Sequence, residues 1–139
     1  MPAPVLFDDR SLAAQVVIAG VIPAAIGALA GVLIGVSSTA YWVVAILAGV
    51  GAFLAGFEHL DGWEAADRGL VCGVVYGSAL LVAHALVGTH AKVSLGSFPP
   101  LLVVITAIIG MLLSAAGGRT ARTRRERASA LGPEEPARR

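Results

Sequence analysis

SLAAQVVIAGVIPAAIGALAGVLIGV, residues 11–36, contains no Asp, Glu, Lys or Arg. A helix rises about 1.5 Å per residue, so this run is about 39 Å long, enough for a bilayer core of about 30 Å. The run is too long for a strand and lacks the alternating faces of a barrel strand. It reads as a membrane-spanning helix. Ala28-Leu29-Ala30 resembles a signal-peptide cleavage site. The flank before it, Asp8-Asp9-Arg10, is not a basic leader, and the apolar run continues through Val32-Leu33-Ile34. A retained helix is expected.

Three more uncharged runs follow, Ala40–Phe57, Gly69–Val87 and Pro99–Gly118. The 139 residues are 57% hydrophobic and 14% charged, with mean hydropathy +0.83. A soluble domain is about a quarter charged. The composition excludes a soluble enzyme domain, a disordered chain and a basic nucleic-acid binder. The expected fold is an all-α integral membrane four-helix bundle with spans 11–36, 40–57, 62–88 and 99–118. Residues 1–10 form a loose N-terminus, and 119–139 a basic, largely disordered cytoplasmic tail with seven Arg, three Glu and two Pro, whose first half can extend the fourth helix briefly and which is expected to be disordered from Gly132 onward. The single cysteine, Cys72, allows no intrachain disulfide and reads as a small hydrophobe. Nine Arg against one Lys, Lys92, reflect a GC-rich coding sequence.

Charge in the short flanks sets orientation. Arg119, Arg122, Arg124, Arg125 and Arg127 directly follow the last span, whereas the two outer connections hold only Lys92. This pattern predicts both termini in the cytoplasm. These arginines are also placed to meet anionic lipid headgroups. Ser37-Ser38-Thr39 offers an N-cap for the second helix, and Tyr41 and Trp42 suit the outer interface. Asp61-Gly62-Trp63-Glu64 has capping-box spacing, so the third helix is expected to start near Gly62 with Trp63 at the inner interface. Glu64 and Arg68 form a favourable i,i+4 pair. Ser97-Phe98-Pro99-Pro100 reads as a helix start.

Small residues recur every fourth position. They are Gly27, Gly31, Gly35 in the first span, Ala48, Ala52, Gly56 in the second, Gly69, Gly73, Gly77 in the third, and Gly110, Ser114, Gly118 in the fourth. Residues four apart share a helix face, and close backbone approach drives helix association in lipid. These faces are expected to pack the bundle, with homo-oligomerisation as the sharper alternative. Pro23 frees the Ala19 carbonyl and predicts a kink. Gln15, Ser78, Thr106 and Ser114 read as interhelical hydrogen-bond partners, and with His84 they are the only material for a polar path. His84 and His90 lie too far apart around the helix to form a metal pair. Glu58, His59, Asp61, Glu64 and Asp67 form the densest set of potential ligands, but capping and pairing account for part of it, and no metal site is expected. No phosphate loop, nucleophile elbow, CxxC, HExxH or pair of intramembrane carboxylates is present, so neither enzyme activity nor a cofactor is expected.

Gly51-Ala52-Phe53-Leu54-Ala55-Gly56, the acidic turn after it, and Arg68-Gly69 with Gly73 and Gly77 resemble a family of small four-helix haloarchaeal membrane proteins of unknown function. The resemblance covers about the middle third of the chain and implies a four-helix membrane fold with no assigned activity. Small multidrug exporters differ, because they carry a membrane-embedded Glu in the first helix and this chain has no carboxylate there. Two functional classes follow. The first is a non-enzymatic structural or accessory protein whose partners are the lipid bilayer and a homo-oligomer or larger membrane complex. The second is an oligomeric channel, holin or small transporter. No nucleic-acid partner is expected.

Overall fold

The structure, a computed structural model, describes residues 7, 9–59, 61–96 and 98–130. The expectations for residues 1–6, Asp8, Ser97 and 131–139 lie outside the described residues. Among those described, all regular structure is helical: α1 (Leu12–Val36), α2 (Ser38–Ala55, extended by a 3-10 turn, Gly56–Glu58), α3 (Gly62–Val87) and α4 (Leu101–Ala130). All four are long and apolar enough to cross a membrane.

Local chemistry fixes the ends. Ser11 caps α1 through the Ala14 N–H, and Ser37 caps α2 through the Ala40 N–H. The Asp61 carboxylate accepts the Gly62 N–H at 2.6 Å, one residue into α3 and two short of the capping-box position. Gly88 ends α3 in the left-handed region at φ 65°, where glycine carries no Cβ penalty. Lys92 then closes the far end of α1: its N–H donates to the Ile34 carbonyl and its Nζ to the Val36 carbonyl at 2.7 Å. Pro99 and Pro100 lie in a turn and α4 begins at Leu101, two residues later than expected.

Two further differences from expectation have clear causes. Where a kink is expected from Pro23, the helix carries a π-helical turn, Val17–Val21, just before the proline. The carbonyl that Pro23 leaves open, Ala19, accepts the Cys72 thiol at 3.5 Å, so Cys72 is a hydrogen-bond donor as well as a small hydrophobe. Helix α4 extends past Gly118 through Ala130, further than the brief extension expected. Extending an existing helix needs no new nucleus, and Ala and Arg are strong helix formers. The extension carries an i,i+4 Arg122–Glu126 ion pair at 2.9 Å.

Around the bundle the neighbours run α1, α3, α4, α2, with α3 on α4 the most extensive interface. The small residues explain the order. A methyl built on Gly27 or Gly31 would overlap the carbonyl oxygen of Tyr76 or Leu80, and one on Gly35 would overlap Thr89. The α1 face therefore lies directly on α3, and the two helices run parallel. Gly69 and Gly73 meet the carbonyls of Gly110 and Thr106, and Gly77 meets the Thr106 hydroxyl, so α3 and α4 run antiparallel. Gly56 and Gly117 bring α2 against α4, and Gly118 packs on Ala65 and Gly62 of α3. Of the second-span set only Gly56 is fully buried; Ala48 and Ala52 are half-buried. Side-chain packing is concentrated at the end away from residues 7–12, where Ala30, Ile34, Tyr41 and Leu80 cluster. The outer surface is apolar, as Val43, Ile46, Leu47, Val50 and Leu54 of α2 illustrate.

Candidate functional site

Of the five polar side chains singled out in the spans, Thr106, Ser114 and Gln15 bond to backbone carbonyls, at separate places. Thr106 donates to the Gly73 carbonyl of α3 at 2.9 Å, and Ser114 donates to the Ala52 carbonyl of α2 at 2.9 Å. Gln15 donates to the carbonyls of Arg10 and Phe7 at 3.1 and 3.4 Å, tying the chain before α1 to its first turns. Ser78 is exposed on the outside of α3. His84 is half-buried with its Nδ1 shielded and unbonded, and His90 is exposed. The five residues do not share an axis: Thr106 and Ser114 engage different helices, and Gln15 and His84 lie near opposite ends.

The densest polar assembly lies where α1 begins, α2 ends, α3 begins and α4 emerges. The expected Glu64–Arg68 pair is not formed. Arg68 turns inward and binds Glu58 at 3.0 Å, with its side chain only 8% exposed. The same nitrogen lies 3.5 Å from the Ala55 carbonyl and 3.3 Å from His59 Nε2, and the guanidinium stacks 4.1 Å from the Phe7 ring centroid. Glu58 also takes Arg10 at 3.0 Å, so one carboxylate bridges two guanidiniums. Phe7 donates its N–H to the Glu58 carbonyl and packs its ring against the buried His59, 5.5 Å between centroids. Phe7 and Arg10 thus lie over the end of α2. Arg68 is four residues before Cys72, which bonds to α1, and eight before Tyr76, which meets Gly27. That stripe of Arg68, Cys72 and Tyr76 is the sequence signal for an inward arginine, and the local i,i+4 rule points the other way.

The tail arginines divide by partner. Arg125 donates to the carbonyls of His59 and Phe57 at 3.2 and 3.1 Å, closing the open end of the 3-10 turn. Arg124 lies 5.7 Å from the Phe57 ring centroid. Arg122 is shared between Glu126 and Asp61, the latter at 3.8 Å. Arg119 and Arg127 are exposed and form no ion pair among the described residues. Of the acidic set, Glu58 and Asp61 are engaged as above, and Glu64 and Asp67 are exposed. Among the described residues no three His, Cys, Asp or Glu side chains gather as a metal-binding group.

These features define a four-span, all-helical bundle with an ionic knot at the end where α1 begins and α4 emerges. Searches of protein-family models, curated proteins and solved structures find no match to this chain.

Proposed function

We propose that this chain is a multi-pass cell-membrane protein with both termini in the cytoplasm and a structural or accessory role without chemistry of its own. The observation that carries the reading is that the small-residue faces and the bonded span hydroxyls are engaged within the single chain. What the bundle offers outward along the spans is a largely apolar surface for lipid or for the spans of a larger complex. The arginines at one end support the orientation, because basic flanks remain on the cytoplasmic side. An oligomeric channel, holin or small transporter is the competing reading. It needs polar groups on the outward faces, and Ser78 is the one candidate of the five exposed there.

Mass determination in nanodiscs, followed by a flux assay in liposomes, tests the proposal. The expected result is one chain per particle, or a complex with a different protein, and no solute leak. A defined ring of this chain that conducts ions would overturn it.

A further inference from the structure

A groove of about 300 Å³ runs along the α3–α4 seam at the charged end. Its lower wall is apolar, with Met111, Leu112 and Ala115, and its mouth is formed by Trp63, Arg119 and Arg122. Met111 and Arg119 are eight residues apart, about 12 Å along the helix axis. That is the separation between a lipid phosphate and the upper part of its acyl chains. Trp63 is 74% exposed beside this opening, in the amphipathic position tryptophan favours at a membrane interface.

The charges in the groove are unequal. Asp61 also lines it, but its carboxylate accepts the Gly62 N–H and faces Arg122, which Glu126 holds on the other side. Arg119 has no such partner among the described residues. Its stem lies against α3, where a methyl on Gly62 would sit 3.0 Å from Arg119 Cγ. The glycine at position 62 therefore lets an uncompensated guanidinium lie across the seam directly above an apolar slot.

We propose that this groove binds one anionic phospholipid of the surrounding leaflet, its phosphate at Arg119 and an acyl chain along Met111, Leu112 and Ala115. The inference rests on the membrane placement proposed above. It goes beyond general attraction of a basic tail to lipid, because it assigns the headgroup to one arginine and one seam.

The test uses Trp63 as reporter. In a Trp42→Phe background Trp63 is the remaining tryptophan of the two in the chain. The full-length protein is reconstituted in phosphatidylcholine bilayers containing a minor fraction of either phosphatidylglycerol or phosphatidylcholine with brominated acyl chains, and quenching of Trp63 is measured. Brominated phosphatidylglycerol is expected to be enriched about fivefold at Trp63 over its bulk fraction, the weight of one basic residue at an anionic surface. Arg119→Ala should bring the enrichment to near onefold, and Arg127→Ala should leave it unchanged. Equal quenching by the two lipids overturns the proposal, as does an equal loss in the two arginine variants. Displacement by soluble glycerol 3-phosphate would also overturn it, because the groove would then read a free phosphate and not a lipid. If neither brominated lipid quenches Trp63, the membrane placement itself fails, which is distinct from failure of the groove.

Discussion

Replacing Gly110 by alanine forces α3 and α4 apart. The new methyl would overlap the Gly69 carbonyl oxygen and stand 3.4 Å from the Gly73 Cα. The obstacle is backbone, so no rotamer change relieves it, and the helices must separate by about 1 Å to restore ordinary contact. Overpacking of this kind costs about 1–3 kcal/mol. The movement also stretches the α4-to-α3 bond from Thr106 to Gly73. Such a bond contributes about 0.6 kcal/mol inside a membrane. Together these give about 3 kcal/mol, or about 10 °C in Tm for a chain of this size. The single Cys72 supplies the assay, because a thiol-reactive fluorogenic dye reports its release as the detergent-solubilised protein is heated. Gly51→Ala is the control: a methyl there has nothing within 4 Å, and alanine is the better helix former. Its Tm should equal or slightly exceed that of the unaltered protein. A drop of under about 2 °C in Gly110→Ala, or an equal drop in both variants, would refute the assignment of Gly110 to a backbone-to-backbone contact.

Glu58→Ala strands the buried Arg68 guanidinium and should cost about 3 kcal/mol in the same melting assay, whereas Glu64→Ala should cost less than about 0.5 kcal/mol; the reverse order would restore the i,i+4 pair. In a Cys72→Ala background, Thr89→Cys should react with an impermeant maleimide on intact cells and Thr123→Cys only after permeabilisation; external labelling at 123 would invert the orientation. Thr106→Val and Ser114→Ala each lose one interhelical bond, worth about 0.6–1.7 kcal/mol, and because the two donors serve different helices the double variant should show close to the sum of the single losses. A strongly non-additive double variant would mean that the two hydroxyls belong to one network.

The four spans are legible in the sequence because lipid imposes a simple rule: an uncharged run of sufficient length must satisfy its own backbone. The faces at Gly69, Gly73 and Gly77 are equally visible, since spacing alone puts them in one stripe. Which helix each stripe meets is not visible, because every stripe is small and apolar and the choice depends on three-dimensional complementarity. The ionic knot was hidden for a different reason. Glu64 and Arg68 satisfy a local rule worth a few tenths of a kcal/mol. Glu58 wins through a contact across the end of α2, where burial makes a charge-assisted bond stronger than an exposed pair. That α4 can run past Gly118 is legible, but its full length is obscured by composition: residues 119–130 bury little but are good helix formers attached to a helix already made. The groove at Arg119 was half legible, since the arginine was placed at the headgroup level, but nothing in the sequence pairs it with Gly62.

The pairing of α1 with α3, and of α2 with α4, has a consequence for biogenesis. A ribosome delivers α1 and α2 first, yet the glycine face of α1 has its seat on Tyr76 and Leu80, residues not yet made. The first hairpin therefore waits in the bilayer with its closest-fitting surface open, and assembly is completed only when the second hairpin arrives beside it. The open glycine face is the part of the nascent chain most exposed to wrong partners, so the time between the insertion of the two hairpins becomes a determinant of yield.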